Sequence, residues 1–267
     1  MAAAAHGGLS PAPRLLPLGD AAWTVEFGAA IDPALHARVL ALEAAVRAAQ
    51  AGGAPPWDAV QDVVPTFRSL TVHYDPLAGD AGDAGDGLAL GQALLLLAQQ
   101  ADAAPPRGRR WTLPACFDAA LAPDLAALAA RQGLTPAAVV ERLLGVELRV
   151  YQIGFMPGFP YMGGVPPALQ VPRLPTPRKA VPAGSIALAG AMAAVYPWES
   201  PGGWHLVGRT PAPLWDLRRD PPALLASGDV VRWRAIDAAE YERLRQAAQR
   251  GVLDVAAWCD APAEAAA

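Results

Sequence analysis

The chain has 267 residues and a mass of 27.7 kDa, with 53% hydrophobic and 17% charged residues. This is a globular composition, long enough for one large or two modest domains and too apolar for a disordered chain. The formal net charge is -4, the pI is about 5.6, and lysines and arginines never cluster, which argues against a nucleic-acid partner. Cys116 and Cys259 lie far apart and outside any CxxC pair, so neither a disulfide framework nor a metal site is expected. Met1–Ser10 lacks the basic and apolar regions of a signal peptide. The longest apolar run, Leu88–Ala98, is interrupted by Gly91-Gln92 and too short for a bilayer, so a soluble, cytoplasmic protein is expected.

Arg14–Phe27 reads as two short strands around a turn at Gly19-Asp20, with Trp23, Val25 and Phe27 alternating with polar neighbours. Asp32-Pro33 opens a helix, because Asp caps well and Pro suits the first turn. Leu35, Val39, Leu42 and Val46 continue it at helical spacing through Arg47. Val60–Tyr74 predicts a strand pair that ends at Asp75-Pro76, and Leu88–Ala101 an amphipathic helix. Between them, Ala78–Gly87 has the composition of a loop tip. The first hundred residues thus spell β, α, β, α, a small open sheet with helices on one face.

Asp102–Arg109, with Pro105-Pro106 and Gly108, is the linker candidate. Trp111–Phe117 predicts a strand, and Asp124–Arg131 and Pro136–Leu144 predict helices, with Gly133 placed as a C-cap and Thr135 as an N-cap. From Leu148 onward, short strand-like segments alternate with Gly/Pro-dense turns, which indicates a barrel or a sandwich. The predicted strands are Leu148–Gly154, Ser185–Ala189, Ala194–Tyr196, Trp204–Val207 and Val230–Ala235. Asp237–Arg250 predicts a charged terminal helix, and Ala261–Ala267 a frayed tail.

The densest chemical signal is Gly154-Phe155-Met156-Pro157-Gly158-Phe159-Pro160-Tyr161-Met162-Gly163-Gly164. Prolines lock the backbone and glycines permit close approach, so the loop is rigid without being regular. That suits a binding site, and it equally suits a tight packing corner of a β barrel. Pocket-lining candidates here are Phe155, Pro157, Gly158, Phe159 and Tyr161. Next, Pro172-Arg173-Leu174-Pro175-Thr176-Pro177-Arg178 holds two arginines in an extended chain, followed by Ser185. Extended arginines suit carboxylate or phosphate recognition, or are simply solvated. Last comes Tyr196-Pro197-Trp198-Glu199-Ser200-Pro201-Gly202-Gly203-Trp204-His205-Leu206-Val207-Gly208-Arg209-Thr210. Gly202-Gly203 suits an anion nest, and Glu199, His205 and Arg209 offer an acid, a base and a charge. Taken one at a time, His205 also fits a structural strand histidine and Glu199 a surface carboxylate.

These motifs, with the Gly228-Asp229-Val230-Val231 turn, Leu16–Ala22 and Val64–Pro76, resemble the family of 5-oxoprolinase B subunits over residues 14–236. That family has also been labelled allophanate hydrolase subunit 1 and includes a Bacillus inhibitor of a sporulation histidine kinase. The resemblance implies an α+β fold: a small α/β domain at 14–105, a cyclophilin-like β barrel at 106–236 of carboxyltransferase type, and a C-terminal helix and tail at 237–267. It implies an ATP-dependent lactam hydrolase, opening 5-oxoproline to glutamate together with A-type and C-type subunits and inactive alone. ATP would be a co-substrate, bound here or at a partner. Within that frame the nominated catalytic residues are Glu199 and His205. Substrate or phosphate binding falls to Arg178, Ser185, Ser200, Gly202, Gly203, Arg209 and Thr210, and Tyr196 and Trp204 join the pocket lining. Two positions depart from the family pattern: Leu143 stands where a histidine is common, and Gly190-Ala191-Met192-Ala193 replaces a Gly-Gly-x-Thr. Competing readings are a regulatory protein that blocks a histidine kinase, and the carboxyltransferase part of a urea-carboxylase-like system. A prolyl isomerase is disfavoured, because fold does not carry function and no matching site pattern is present.

Overall fold

A computed structural model describes residues 12–78, 87–101 and 108–260. The N-terminal stretch read as lacking a signal peptide, most of the loop tip after Ala78, most of the Asp102–Arg109 linker and the tail after Asp260 lie outside the described residues. The chain divides into two compact units, Met1–Pro106 and Arg107–Ala267.

In the first unit, β1 (Arg14–Pro17) and β2 (Ala22–Glu26) form a hairpin whose turn uses Gly19 at φ 62°. Helix α1 (Pro33–Ala51) starts where expected, its N-cap Asp32 accepting from Ala34 N at 2.7 Å and Leu35 N at 3.2 Å. Strands β3 (Val60–Pro65) and β4 (Ser69–Tyr74) follow, then α2 (Leu88–Gln100). The sheet order is β1-β2-β4-β3, antiparallel throughout. Val25, Leu70 and Val72 bury one sheet face against Val39, Leu42 and Val46 of α1 and Leu90 and Leu94 of α2. One face is therefore core and the other faces away from the helices, as the alternation predicted.

The second unit opens with β5 (Arg110–Cys116), α3 (Leu125–Arg131) and α4 (Pro136–Leu144), with Thr135 capping α4 through Ala138 N at 3.1 Å. Strands β6 (Leu148–Ile153), β7 (Pro160–Gly163), β8 (Arg178–Val181), β9 (Ser185–Ala189), β10 (Met192–Val195), β11 (Ser200–Gly202), β12 (His205–Arg209) and β13 (Val230–Ile236) follow. Helix α5 (Ala238–Gln249) and the short β14 (Cys259–Asp260) complete it. Seven strands close into a barrel in the order β12-β9-β10-β7-β6-β13-β5, the ring shut by Arg209 opposite Cys116. Closure removes the exposed sheet edges. The seam joining the ends of the unit is the parallel pair β5/β13, in register from Arg110 opposite Val230 to Cys116 opposite Ile236. The fold class is mixed α+β with a closed barrel, as expected.

Besides the two-residue β14, three strands escape the sequence reading. The strand β7 sits inside the segment read as an irregular loop, while β8 and β11 form a separate two-stranded ribbon. All are three or four residues long, so the period-2 signal has no length over which to show, and β7 and β11 also carry Pro and Gly. Both cysteines are free, and burial raises the pKa of the Cys116 thiol. Among the described residues no helix is long and apolar enough to cross a membrane, and no cluster of His, Cys, Asp and Glu could hold a metal.

Candidate functional site

The strands β9 and β10 are buried on both faces, and this creates the candidate site. One face, with Ile186, Leu188, Ala193 and Val195, joins the main core alongside α3 and α4. The opposite face carries the small residues Ala187, Ala189 and Ala194, leaving room above the backbone. Phe159, Tyr196 and Trp204 fill that room as a second, aromatic cluster. Cross-strand register builds the platform: Tyr161 pairs with Ala194, Ala194 with Ala187, and Ala187 with Leu206. Alanine on three positions of this face is what lets rings stack there.

Phe159 is the hub. Its ring lies 5.1 Å from Tyr196, 4.9 Å from Tyr161, 6.4 Å from Trp204 and 5.4 Å from Phe155, mostly edge to face. Phe155 differs from the rest of the cluster in being 66% exposed. It is also the one non-glycine among the described residues with positive φ, at 71°. Pro157 is exposed, and Gly158 turns the loop with φ 76° against Leu214 and Trp215. Burial raises the pKa of both Tyr161 and Tyr196, with the positive charge of Arg173 acting against the rise in each.

The ribbon β8/β11 borders this cluster. Gly202 is required by contact, because a Cβ there would stand 2.3 Å from the Tyr196 hydroxyl. Gly202→Ala should therefore displace Tyr196 and lower stability by about 1–3 kcal/mol, measurable by denaturant unfolding. An unchanged midpoint would show that the ribbon gives way freely. The Gly203 carbonyl accepts from Leu174 N at 2.7 Å. Ser200 makes one long bond to Pro201 O at 3.4 Å.

The two arginines of the extended segment have different fates. Arg178 Nη2 donates to Asp124 Oδ1 at 2.5 Å, and Asp124 Oδ2 accepts from Leu206 N at 2.7 Å. Asp124, beside the start of α3, thus ties β8 to β12, and the Arg178 guanidinium is committed to a structural link. Arg173, read with Arg178 as suited to carboxylate or phosphate recognition but left out of the nominated site, sits with its guanidinium carbon 5.7 Å from the centre of the Trp204 ring. Only the fold could distinguish them, since Asp124 is 54 residues from Arg178 in sequence.

His205 Nε2 donates to Pro172 O at 3.0 Å, which fixes the tautomer because a carbonyl can only accept. Glu199 is exposed and has no hydrogen bond or ion pair among the described residues. Ser185 and Arg209 face each other in register on β9 and β12. Ser185 is fully buried, and its Oγ and the Arg209 Nε both lack a partner. Arg209 is nevertheless hydrogen-bonded to the Tyr241 hydroxyl on α5. Thr210 is buried, its Oγ1 accepting from Ala212 N at 3.1 Å. The fold thus brings together two sets of sequence-nominated residues, the aromatic Phe155, Phe159, Tyr161, Tyr196 and Trp204 and the polar pair Ser185 and Arg209, while Arg178, Glu199, His205 and Thr210 belong to neither.

The two departures from the family pattern lie elsewhere. Leu143 on α4 and Ala193 on β10 are fully buried in the main core. Neither side chain belongs to the aromatic cluster. A cleft of about 200 Å³ lies between Pro213–Arg219 and the end of α5, lined by Asp216, Arg218, Gly251 and Leu253 among others, and takes in none of the nominated residues. Arg218 binds Asp216 in bidentate fashion there and lowers the pKa of its carboxyl to about 2.

The family model described as carboxyltransferase domain, subdomain C and D, matches residues 13–225. The 5-oxoprolinase B subunit of Bacillus subtilis (strain 168) is 31% identical over 243 residues, covering 86% of this chain and 95% of that protein. The 5-oxoprolinase B subunit of Escherichia coli O157:H7 is 44% identical over 135 residues, or 51% of this chain and 62% of that protein. Among solved structures, TTHA0988 superposes with a TM-score of 0.66 at 35% identity, covering 80% of this chain and 39% of that chain. The Kluyveromyces lactis urea carboxylase superposes with a TM-score of 0.70 over 93% of this chain and 23% of that chain; at 19% identity the likeness is one of fold alone.

Proposed function

This chain belongs to the carboxyltransferase-domain family, subdomains C and D, and from that premise we propose that it serves as the B-type subunit of an ATP-dependent 5-oxoprolinase. The observation that carries the reading is the likeness to the Bacillus subtilis B subunit over 95% of that protein. Aromatic residues of two of the motifs, Phe159 with Tyr161 and Tyr196 with Trp204, meet on one face of the barrel sheet, which supports a site there rather than scattered packing corners.

Opening 5-oxoproline to glutamate asks for activation, since a five-membered amide is a weak electrophile. ATP, as co-substrate, supplies that: phosphoryl transfer to the lactam oxygen, with release of ADP, makes the ring carbon a better electrophile, so that water adds there, the ring nitrogen leaves with a proton, and phosphate is released. The protein must then hold anionic groups, donate to developing charge and carry a proton. Ser185 and Arg209 fit the second task, being adjacent polar groups with unpaired atoms. Glu199 fits the third, as an exposed carboxylate without a partner among the described residues. In this reading His205 positions the loop at Pro172 through its Nε2 bond. Phe155 stands exposed at the edge of the buried aromatic cluster, and in this reading the site completes itself against a partner, an A-type or C-type subunit.

Reconstitution tests the reading. Mixed with C-type and A-type proteins and ATP, the chain should yield ADP and glutamate from 5-oxoproline, and neither product when any component is omitted. Glu199→Gln in the same mixture should cut turnover about 100-fold or more without lowering the melting point. If the complete mixture leaves 5-oxoproline intact while this chain alone suppresses the autophosphorylation of a histidine kinase, the regulatory reading replaces the enzymatic one.

A further inference from the structure

Among the described residues, Arg173 is a cation beside the aromatic face with no partner to neutralise it. Arg178 is tied to Asp124 at 2.5 Å, and Arg209 is hydrogen-bonded to Tyr241. Arg173 is exposed and has no ion pair or side-chain hydrogen bond among the described residues; its guanidinium lies instead against the Trp204 ring at 5.7 Å. A guanidinium held against an indole is fixed by the ring's π cloud and uses none of its N–H donors. Those donors remain in a planar fork, the geometry that matches a carboxylate two bonds at a time.

The backbone on either side of Arg173 is clamped. Pro172 O accepts from His205 Nε2 at 3.0 Å, and Leu174 N donates to Gly203 O at 2.7 Å. Both anchors belong to the segment that leads into and begins β12. An exposed arginine on a free loop would lose rotamer and backbone freedom on binding. Here much of the backbone ordering is complete before any ligand arrives. The same residue stands close enough to Tyr161 and Tyr196 for its charge to act on both phenols. Cation, ring surface and phenols therefore sit on one side of the sheet.

We propose that Arg173 receives the anionic group of the ligand on this face, and that the ligand is a small carboxylate whose body lies against the partly exposed Tyr161 ring. Arg173 is then the specificity-determining residue for the carboxylate, and His205 is a positioning residue that acts through the Pro172 carbonyl. The choice of 5-oxoproline as the carboxylate rests on the 5-oxoprolinase reading; the role of Arg173 does not.

Calorimetric titration of the chain assembled with its C-type and A-type partners, with 5-oxoproline, its uncharged carboxamide, acetate, inorganic phosphate and ATP each added alone, separates the two. Wild type should bind 5-oxoproline, and Arg173→Gln should weaken that binding on the order of 10- to 100-fold, the loss of a charge-assisted pair. The carboxamide should bind wild type and Arg173→Gln alike, and Lys179→Gln, an exposed lysine nearby in sequence, should match wild type. His205→Ala should weaken 5-oxoproline binding and His205→Gln should restore it, because an amide N–H can still reach the Pro172 carbonyl. If Arg173→Gln binds 5-oxoproline as wild type does, or wild type shows no anion binding that depends on Arg173, the inference is overturned. If phosphate and ATP depend on Arg173 and carboxylates do not, the carboxylate class is wrong. If other small carboxylates bind through Arg173 and 5-oxoproline does not, the inference stands and the 5-oxoprolinase reading falls.

Discussion

Asp229→Ala should lower the unfolding midpoint of the second unit by about 6–20 °C, the equivalent of about 3–5 kcal/mol for several inward-facing donors left without their acceptor. Asp229 is 2% exposed at the entry to β13. Its two oxygens accept from Arg109 N at 2.9 Å, Arg109 Nη2 at 2.7 Å, Trp111 Nε1 at 3.0 Å and Ala226 N at 3.0 Å. Arg109 Nη2 also donates to Leu224 O at 3.0 Å. One carboxylate thus joins the start of β5, the start of β13 and the turn before it. These are the strands of the parallel seam, about 120 residues apart in sequence, and loop closure over that length has no local contact to lean on. Alanine would strand the Trp111 and Ala226 donors inside the fold. Arg109→Ala should cost less, because Asp229 would keep its bonds from the Arg109 backbone, Trp111 and Ala226. Thermal unfolding followed by circular dichroism reads both. A midpoint for Asp229→Ala within a degree or two of wild type would show that the seam does not depend on this carboxylate.

That hub marks where the sequence stops being legible. The Gly228-Asp229 pair is visible as part of a turn motif, but its partner Arg109 sits in the stretch that composition assigns to a linker. Local features are readable because their causes are local. Asp32 and Thr135 cap helices within three residues, and the alternation over Ser69–Tyr74 fixes one face of an antiparallel strand. The barrel as a class is readable from short strands among Gly/Pro turns. Its closure is not, since Arg209 opposite Cys116 depends on strand tilt and register summed over seven strands. The site divides in the same way. The aromatic residues Phe159, Tyr196 and Trp204 are nominated by their motifs, and they do meet. Arg173 and Arg178 are chemically identical in sequence, and a carboxylate at Asp124 decides which is free. Leu143 and Ala193 look like losses of chemical groups from a site, whereas both are apolar filling for the main core.

The second large effect lies in the aromatic face, where two phenylalanines four residues apart should behave oppositely. Phe159→Ala should cost about 3–5 kcal/mol, because its ring is 2% exposed and touches four other aromatic rings. Tyr196 and Trp204 would lose their common neighbour, and with them the support under Arg173. Phe155→Gly should leave stability within about 1 kcal/mol of wild type. Glycine relieves the left-handed backbone at φ 71°, a gain of about 1 kcal/mol, and this offsets the loss of one edge contact worth about 0.5–1.5 kcal/mol. An exposed ring held in that backbone region points to binding rather than to packing. Phe155→Gly should therefore weaken 5-oxoproline binding, or turnover of the reconstituted mixture, while the melting point stays put. Should Phe155→Gly instead melt far below wild type with binding per folded molecule unchanged, the loop is a packing corner, and the site must be sought at Ser185 and Arg209.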